Sequence, residues 1–247
     1  MDALRSDTLT VARRFSGPPS TGNGGYTAGL LATEFLRDRE APTAVEVTLR
    51  RPPPLDTQLE VRRTADNVAV YLDDQLVGEA RVGALTGDVV DAVSLADARD
   101  AETTYAGLTA HPFPTCFTCG PRREPGDGLR LQPGRVDAGR TACTWTPDAS
   151  LACAGEPAYV RGEFVWAALD CPGGWTTDIE GRPMVLGRIT AETYAPAEVG
   201  ERHVVMGRLL REEGRKAFTA TTLYDSDGRV VARAEHVWFA VDPAVFS

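Results

Sequence analysis

Hydrophobic and polar positions follow two periods along the chain, and the whole pattern comes round twice. Residues 8–15 (TLTVARRF) alternate with the period of two that a half-buried strand requires. A turn-rich stretch, SGPPSTGNGG, follows. Residues 26–36 (YTAGLLATEFL) then bring Leu30, Leu31 and Phe35 close to one face of a helix, with Gly29 as its weak position. Four strand patterns come next: AVEVTLR, QLEVRR, VAVYL and LVGEARVGAL. The second half repeats the order. GLRLQPGRV and RTACTWT read as strands and EFVWAALDC as a helix. VLGRITAETY, RHVVMGRLL, KAFTATTLY and VVARAEHVWFAV read as strands again.

The turns repeat as well. Pro52-x-x-x-Asp56 joins the first long strand pair, and Pro196-x-x-x-Gly200 joins its counterpart. YLDDQLVGEARV lines up with LYDSDGRVVARAEHV, two hairpins with acidic turns. Each half is a strand, a helix and an antiparallel meander, which is the α+β class and a two-layer unit. One copy alone would expose sheet edges, so pairing two copies edge to edge is physically sensible. The predicted organisation is a unit over 1–96, a Pro/Cys-containing linker over 97–127 and a second unit over 128–247. The other reading of the pattern is one irregular α+β domain.

Composition narrows the classes. The chain has 247 residues, 43% hydrophobic and 25% charged, so a real core is affordable. Its net charge is −9, which speaks against nucleic acid and anionic membrane as partners. Lys216 is the sole lysine, so nearly all positive charge is arginine. The start, MDALRSDTLTV, lacks the basic-then-apolar pattern of a secretory signal, and no apolar run reaches the roughly 18 residues that span a bilayer. Five cysteines, an odd number, do not suggest a disulfide framework. These features predict a soluble, reduced, cytoplasmic protein.

The motifs that bear on function lie at the helix starts. Gly24-Gly25-Tyr26 leads into AGLLA, and Gly162 leads into WAALD. With the doubled element order, these residues resemble the hotdog fold in its double form, as in acyl-CoA thioesterases: two tandem units, each an antiparallel sheet wrapped on a central helix. The likeness covers nearly the whole chain apart from the linker. In the phenylacetyl-CoA and hydroxybenzoyl-CoA thioesterase groups, a glycine at the start of the central helix precedes a catalytic Asp or Glu by about the distance that separates Gly162 from Asp170. The resemblance implies a site across the two copies, pairing Asn23, Gly24 and Gly25 with Asp170. It implies a weaker or dead second site, pairing Gly162 with Glu34 or Thr33.

Chemistry suits that assignment. Thioester hydrolysis builds negative charge on the carbonyl oxygen, and a helix N-terminus offers free N–H groups to it. Glycine admits the substrate close to the backbone. A carboxylate facing the carbonyl carbon activates water or attacks directly, and burial raises its pKa. Asn23 is placed to cap the first helix or to hold the thioester oxygen or water. The plainer reading of Asp170, which precedes Cys-Pro-Gly-Gly, is an acid that accepts hydrogen bonds from the following turn, with Pro172 stopping or kinking the helix.

HPFPTCFTCGPRREPGDG is the most unusual stretch. Cys116-x-x-Cys119-Gly looks like half of a zinc knuckle, with His111 a third ligand and Cys143, Cys153 or Cys171 a fourth. No second C-x-x-C exists, so no metal site is read here. The stretch is read as a proline-stiffened linker that packs its cysteines, Phe113 and Phe117 inward. Arg122 and Arg123 are assigned to the nucleotide part of coenzyme A. No histidine lies in or next to either helix, which counts against a dehydratase.

The resulting expectation is hydrolysis of an acyl-CoA or acyl-carrier thioester without a cofactor. Asp170 acts as base or nucleophile. The second expectation is a non-catalytic binder of acyl-CoA or a lipid-like ligand, and the third an enoyl-CoA hydratase or dehydratase. A monomer and a homo-oligomer of such fused units both fit.

Overall fold

The computed structural model describes residues 8–37, 39 and 43–246. The first seven residues of the stretch read for a secretory signal, which open the first predicted unit, and residue 247, which ends the second, lie outside them. Among the described residues eleven strands form one sheet in the order β1-β3-β4-β5-β2-β8-β11-β10-β9-β7-β6, and every pairing between these strands is antiparallel. In the first half these are β1 (Thr8–Thr10), β2 (Val45–Leu49), β3 (Gln58–Arg63), β4 (Asn67–Leu72) and β5 (Gln75–Val82). In the second they are β6 (Gly134–Arg135), β7 (Arg140–Trp145), β8 (Met184–Thr193), β9 (His203–Glu213), β10 (Lys216–Tyr224) and β11 (Val230–Ala240).

The strand order makes the repeat visible. Outward from the middle it reads β2, β5, β4, β3, β1 on one side and β8, β11, β10, β9, β7 on the other. Strands β2 and β8 join the halves, with Val45 opposite Ala191 and Val47 opposite Ile189. The edge that each copy would leave bare is thereby paired. The matched turns also share a backbone conformation: Asp56 at φ 53° and Gly200 at φ 78° both take the left-handed region.

The two longer helices, α1 (Gly24–Leu36) and α3 (Gly162–Gly174), lie against this sheet. Every α3 residue from Glu163 to Gly174 is buried, as expected of a helix that is apolar on all sides. The helices pack on each other through Gly25 and Gly29. A Cβ at Gly25 would run into Asp170 and the Trp166 carbonyl, and one at Gly29 into Glu163 and Trp166. Gly29 is therefore a contact position, not the weak point its propensity suggests.

Three expectations change. Pro172 does not stop α3, which continues to Gly174, and Trp175 N–H still donates to the Cys171 carbonyl at 3.0 Å. GLRLQPGRV yields only the two residues of β6, because Arg130 sits at φ 52° and breaks the alternation. There the Leu129 and Leu131 N–H groups bond to the carbonyls of Phe117 and Thr118. The boundary at 96/97 falls inside a helix, α2 (Leu95–Glu102), capped by the Ser94 side chain. After α2 the connection runs inward as expected. Phe113, Cys116, Phe117 and Cys119 all belong to the main core. Among the described residues no helix is long and apolar enough to cross a membrane.

Candidate active site

The site is assembled where the start of α1 meets the last turns of α3. Asn23 takes extended backbone before α1, and its Oδ1 accepts the Tyr26 N–H at 2.8 Å. Its Nδ2 points away from α1 and donates to Asp170 Oδ2 at 3.1 Å. The Gly25 N–H donates to the same oxygen at 2.9 Å. Thr27 N–H bonds back to the Asn23 carbonyl. Gly24 N–H is thus the one first-turn donor that none of these groups takes.

Asp170 is 2% exposed. Its second oxygen, Oδ1, has no hydrogen-bond partner among the described residues. Burial pushes this carboxyl up from 3.8 to about 7, the nearby Cys116 sulfur adds to the rise, and the bonds from Gly25 and Asn23 oppose it. Two donors on one oxygen do not offset the lost hydration. The net rise corresponds to about 4 kcal/mol against ionisation. The plainer reading of Asp170, as acceptor for the turn after its own helix, does not describe these partners, which are the cap and the first turn of α1.

The matched position in the other half differs. Thr33 is the side chain that a Cβ at Gly162 would approach, at 3.7 Å, and Thr33 is exposed. Glu34 faces elsewhere, where it pairs with Arg37 and Arg63. Sequence spacing alone left Thr33 and Glu34 as alternatives; packing puts the hydroxyl, not the acid, opposite Gly162.

The cysteine stretch closes the site on one side. Cys116, Cys119 and Cys171 are buried, with their sulfurs all within 4.8 Å of one another. Asn23 Nδ2 lies 3.6 Å from Cys116 Sγ, so it touches both this cluster and Asp170. Cys119 Sγ lies 3.3 Å from His111 Nε2 and accepts the Trp175 indole N–H at 3.4 Å. Burial lowers the His111 pKa. Cys143 and Cys153 stand apart from this cluster, Cys143 on β7.

A cavity of about 420 Å³ connects these groups, within the usual range for small-molecule sites. Asn23, Gly24 and Asp170 line it together with Ile179, Leu186 and Trp238. His111 lines it too, so the absence of a histidine at the helices does not carry over to the site. Exposed arginines 50, 51 and 215 also border it. Arg122 opens onto a different hollow, and Arg123 is tied to Thr115, Asp127 and Ser16. Neither Arg122 nor Arg123 is among the residues that line this cavity. Their adjacency in sequence said nothing of the direction in which the folded loop turns them. The same holds for Arg51 and Arg215, which no local pattern marks.

No protein-family model matches the chain, and no curated protein matches it in sequence. Its structure is similar to solved structures over nearly its whole length. The tesB protein of Mycobacterium avium subs paratuberculosis superposes with a TM-score of 0.57 at 12% identity, covering 97% of this chain and 90% of that one. A conserved Alicyclobacillus acidocaldarius protein with the hot dog fold gives 0.61 at 13% identity, covering 98% and 96%. A candidate thioesterase from Novosphingobium aromaticivorans gives 0.63 at 14% identity, covering 95% of each. These likenesses, with the doubled strand order, establish the fold: the chain is a double hotdog.

Proposed function

We propose that this double-hotdog protein hydrolyses acyl thioesters of coenzyme A, with Asp170 as general base and the start of α1 as oxyanion site. The observation that carries the reading is Asp170 itself. One carboxylate oxygen is fixed by Gly25 and Asn23, the other is buried without a partner among the described residues, and Asp170 lines the cavity. A base needs a free lone pair in a fixed direction and a pKa near the working pH, and about 7 meets the second need.

The acyl group lies along the apolar wall of Ile179, Leu186 and Trp238. The thioester carbonyl oxygen faces the Gly24 N–H, where a Cβ would instead meet Leu186. Water held at Asp170 Oδ1 gives its proton to the carboxylate as its oxygen bonds to the carbonyl carbon. The proton then leaves with the thiol as the carbon–sulfur bond breaks. The phosphates of coenzyme A meet Arg51 and Arg215 at the rim, in place of Arg122 and Arg123.

One observation favours a second reading, binding without turnover. The Gly25 N–H is already bonded to Asp170, which leaves a single first-turn donor for the oxyanion. The test is loss of thioester absorbance over a panel of short, long and aromatic acyl-CoAs, with wild type and Asp170→Asn compared. Turnover by wild type and a loss of about 10²-fold or more in the folded variant is expected. Wild type that is inert, yet melts higher with acyl-CoA, establishes the binder. Equal rates in both proteins remove Asp170 from the mechanism.

A further inference from the structure

We propose that Cys116, Cys119 and Cys171 bind a zinc ion as three thiolates, with the fourth coordination position open to the cavity beside Asp170. The sulfurs are spaced for it. Cys116 Sγ and Cys171 Sγ are 3.9 Å apart, and all three lie within 4.8 Å of one another. A tetrahedral ion with bonds of about 2.3 Å holds its sulfurs about 3.8 Å apart, so small side-chain rotations close the shell.

The backbone holds the ligands in place. Cys116 N–H bonds to the Phe113 carbonyl and Gly120 N–H to the Cys116 carbonyl, both at 2.9 Å. A Cβ at Gly120 would collide with the Cys116 backbone, so the tight C-x-x-C-G turn requires glycine there. The Tyr105 hydroxyl fixes the Cys119 carbonyl at 2.9 Å. The third ligand comes from α3, which a proline one residue later fails to end. No second C-x-x-C is needed, because the fold supplies Cys171 instead.

The surroundings suit thiolates. Nitrogen donors face the sulfurs: Trp175 Nε1 and His111 Nε2 at Cys119, and Asn23 Nδ2 at Cys116. Phe113 N–H donates to His111 Nδ1 at 2.9 Å, so the neutral ring carries its proton on Nε2 and donates it to Cys119. His111 thus orients a ligand sulfur and is not itself the fourth ligand. Three sulfur ligands select zinc over oxygen-preferring cations. All three cysteines line the cavity, so water or a ligand thiol has access to the open position. On binding, each thiol gives one proton to solvent, and the centre carries one net negative charge.

The experiment uses the full chain without a histidine tag, reduced with a phosphine, stripped with a chelator and titrated with Co²⁺ in the absence of oxygen. One equivalent is expected to bring up a near-ultraviolet thiolate-to-cobalt band and the visible bands of a four-coordinate ion. Zn²⁺ is expected to erase both. Cys119→Ser and Cys171→Ser weaken binding about tenfold or more, while Cys153→Ser matches wild type. Elemental analysis of untreated protein then finds zinc near one per chain. No thiolate band in reduced wild type overturns the proposal, and so does a band that survives both substitutions. A mass two hydrogens short before reduction, with no metal taken up after it, assigns the cluster to a disulfide instead. The wild-type titration depends neither on a variant folding nor on thioester turnover.

Discussion

Asp170 shows how far a few ångströms change a side chain's chemistry. In water a carboxylate of this type is ionised above pH 4. Here burial raises it to about 7, so the protonated form persists near neutrality. Only the ionised form takes a proton from water. The expected kcat/KM therefore falls about tenfold for each pH unit below 7 and levels off above it. An initial-rate series from pH 5 to 9 with one acyl-CoA checks this. A profile that stays flat down to pH 5 would mean that Asp170 is solvated during turnover or is not the base. A net negative zinc centre next to it would push the limb in the same direction, upward.

Helix packing sets that residue in place. Gly25 and Gly29 are four positions apart, so they share a face of α1 and admit α3 closely enough for a backbone N–H to reach Asp170. Gly25→Ala puts a methyl group into the Asp170 Cβ and the Trp166 carbonyl, and neither is the far end of a flexible chain. The expected cost is about 1–3 kcal/mol, seen as a lower urea midpoint, with reduced turnover. Unchanged stability would mean that the helices separate more easily than their packing implies. The sequence marked both glycines but gave them opposite meanings. Gly25 reads as a site residue and Gly29 as a slightly weak helix position, because propensity concerns one helix and says nothing of its neighbour.

The two matched helix positions of the doubled fold differ in their surroundings. Thr33 and Asp170 occupy matched positions, and of the two it is Asp170 that lines the cavity with Ile179, Leu186 and Trp238. The charge of the whole molecule is also uneven. Against a net −9, arginines 50, 51 and 215 gather at the rim of that cavity. Arg50 is engaged with Glu79, so Arg51 and Arg215 are the better anion contacts. Arg51→Ala combined with Arg215→Ala is expected to raise KM for acyl-CoA several-fold while leaving KM unchanged for a short thioester without phosphates. Equal KM changes for both substrates would place the nucleotide elsewhere.

Periodicity along the chain was enough to determine the α+β class, the two helices, most strands and the duplication, because burial of alternating or helical faces is a local rule repeated at every element. The resemblance to hotdog thioesterases marked Asp170 and the glycines at both helix starts, through the spacing of glycine and acid along one helix. Tertiary structure alone decided which side chains meet. It gave Asn23 to Asp170 and Cys116 together, set Thr33 instead of Glu34 opposite Gly162, and brought Cys171 to the C-x-x-C turn across 52 residues of chain from Cys119. It turned Arg123 onto Ser16 and brought Arg51 and Arg215 to one rim. Such contacts join residues far apart in the chain. Their geometry depends on how sheet and helices pack as a whole, and no local pattern records it.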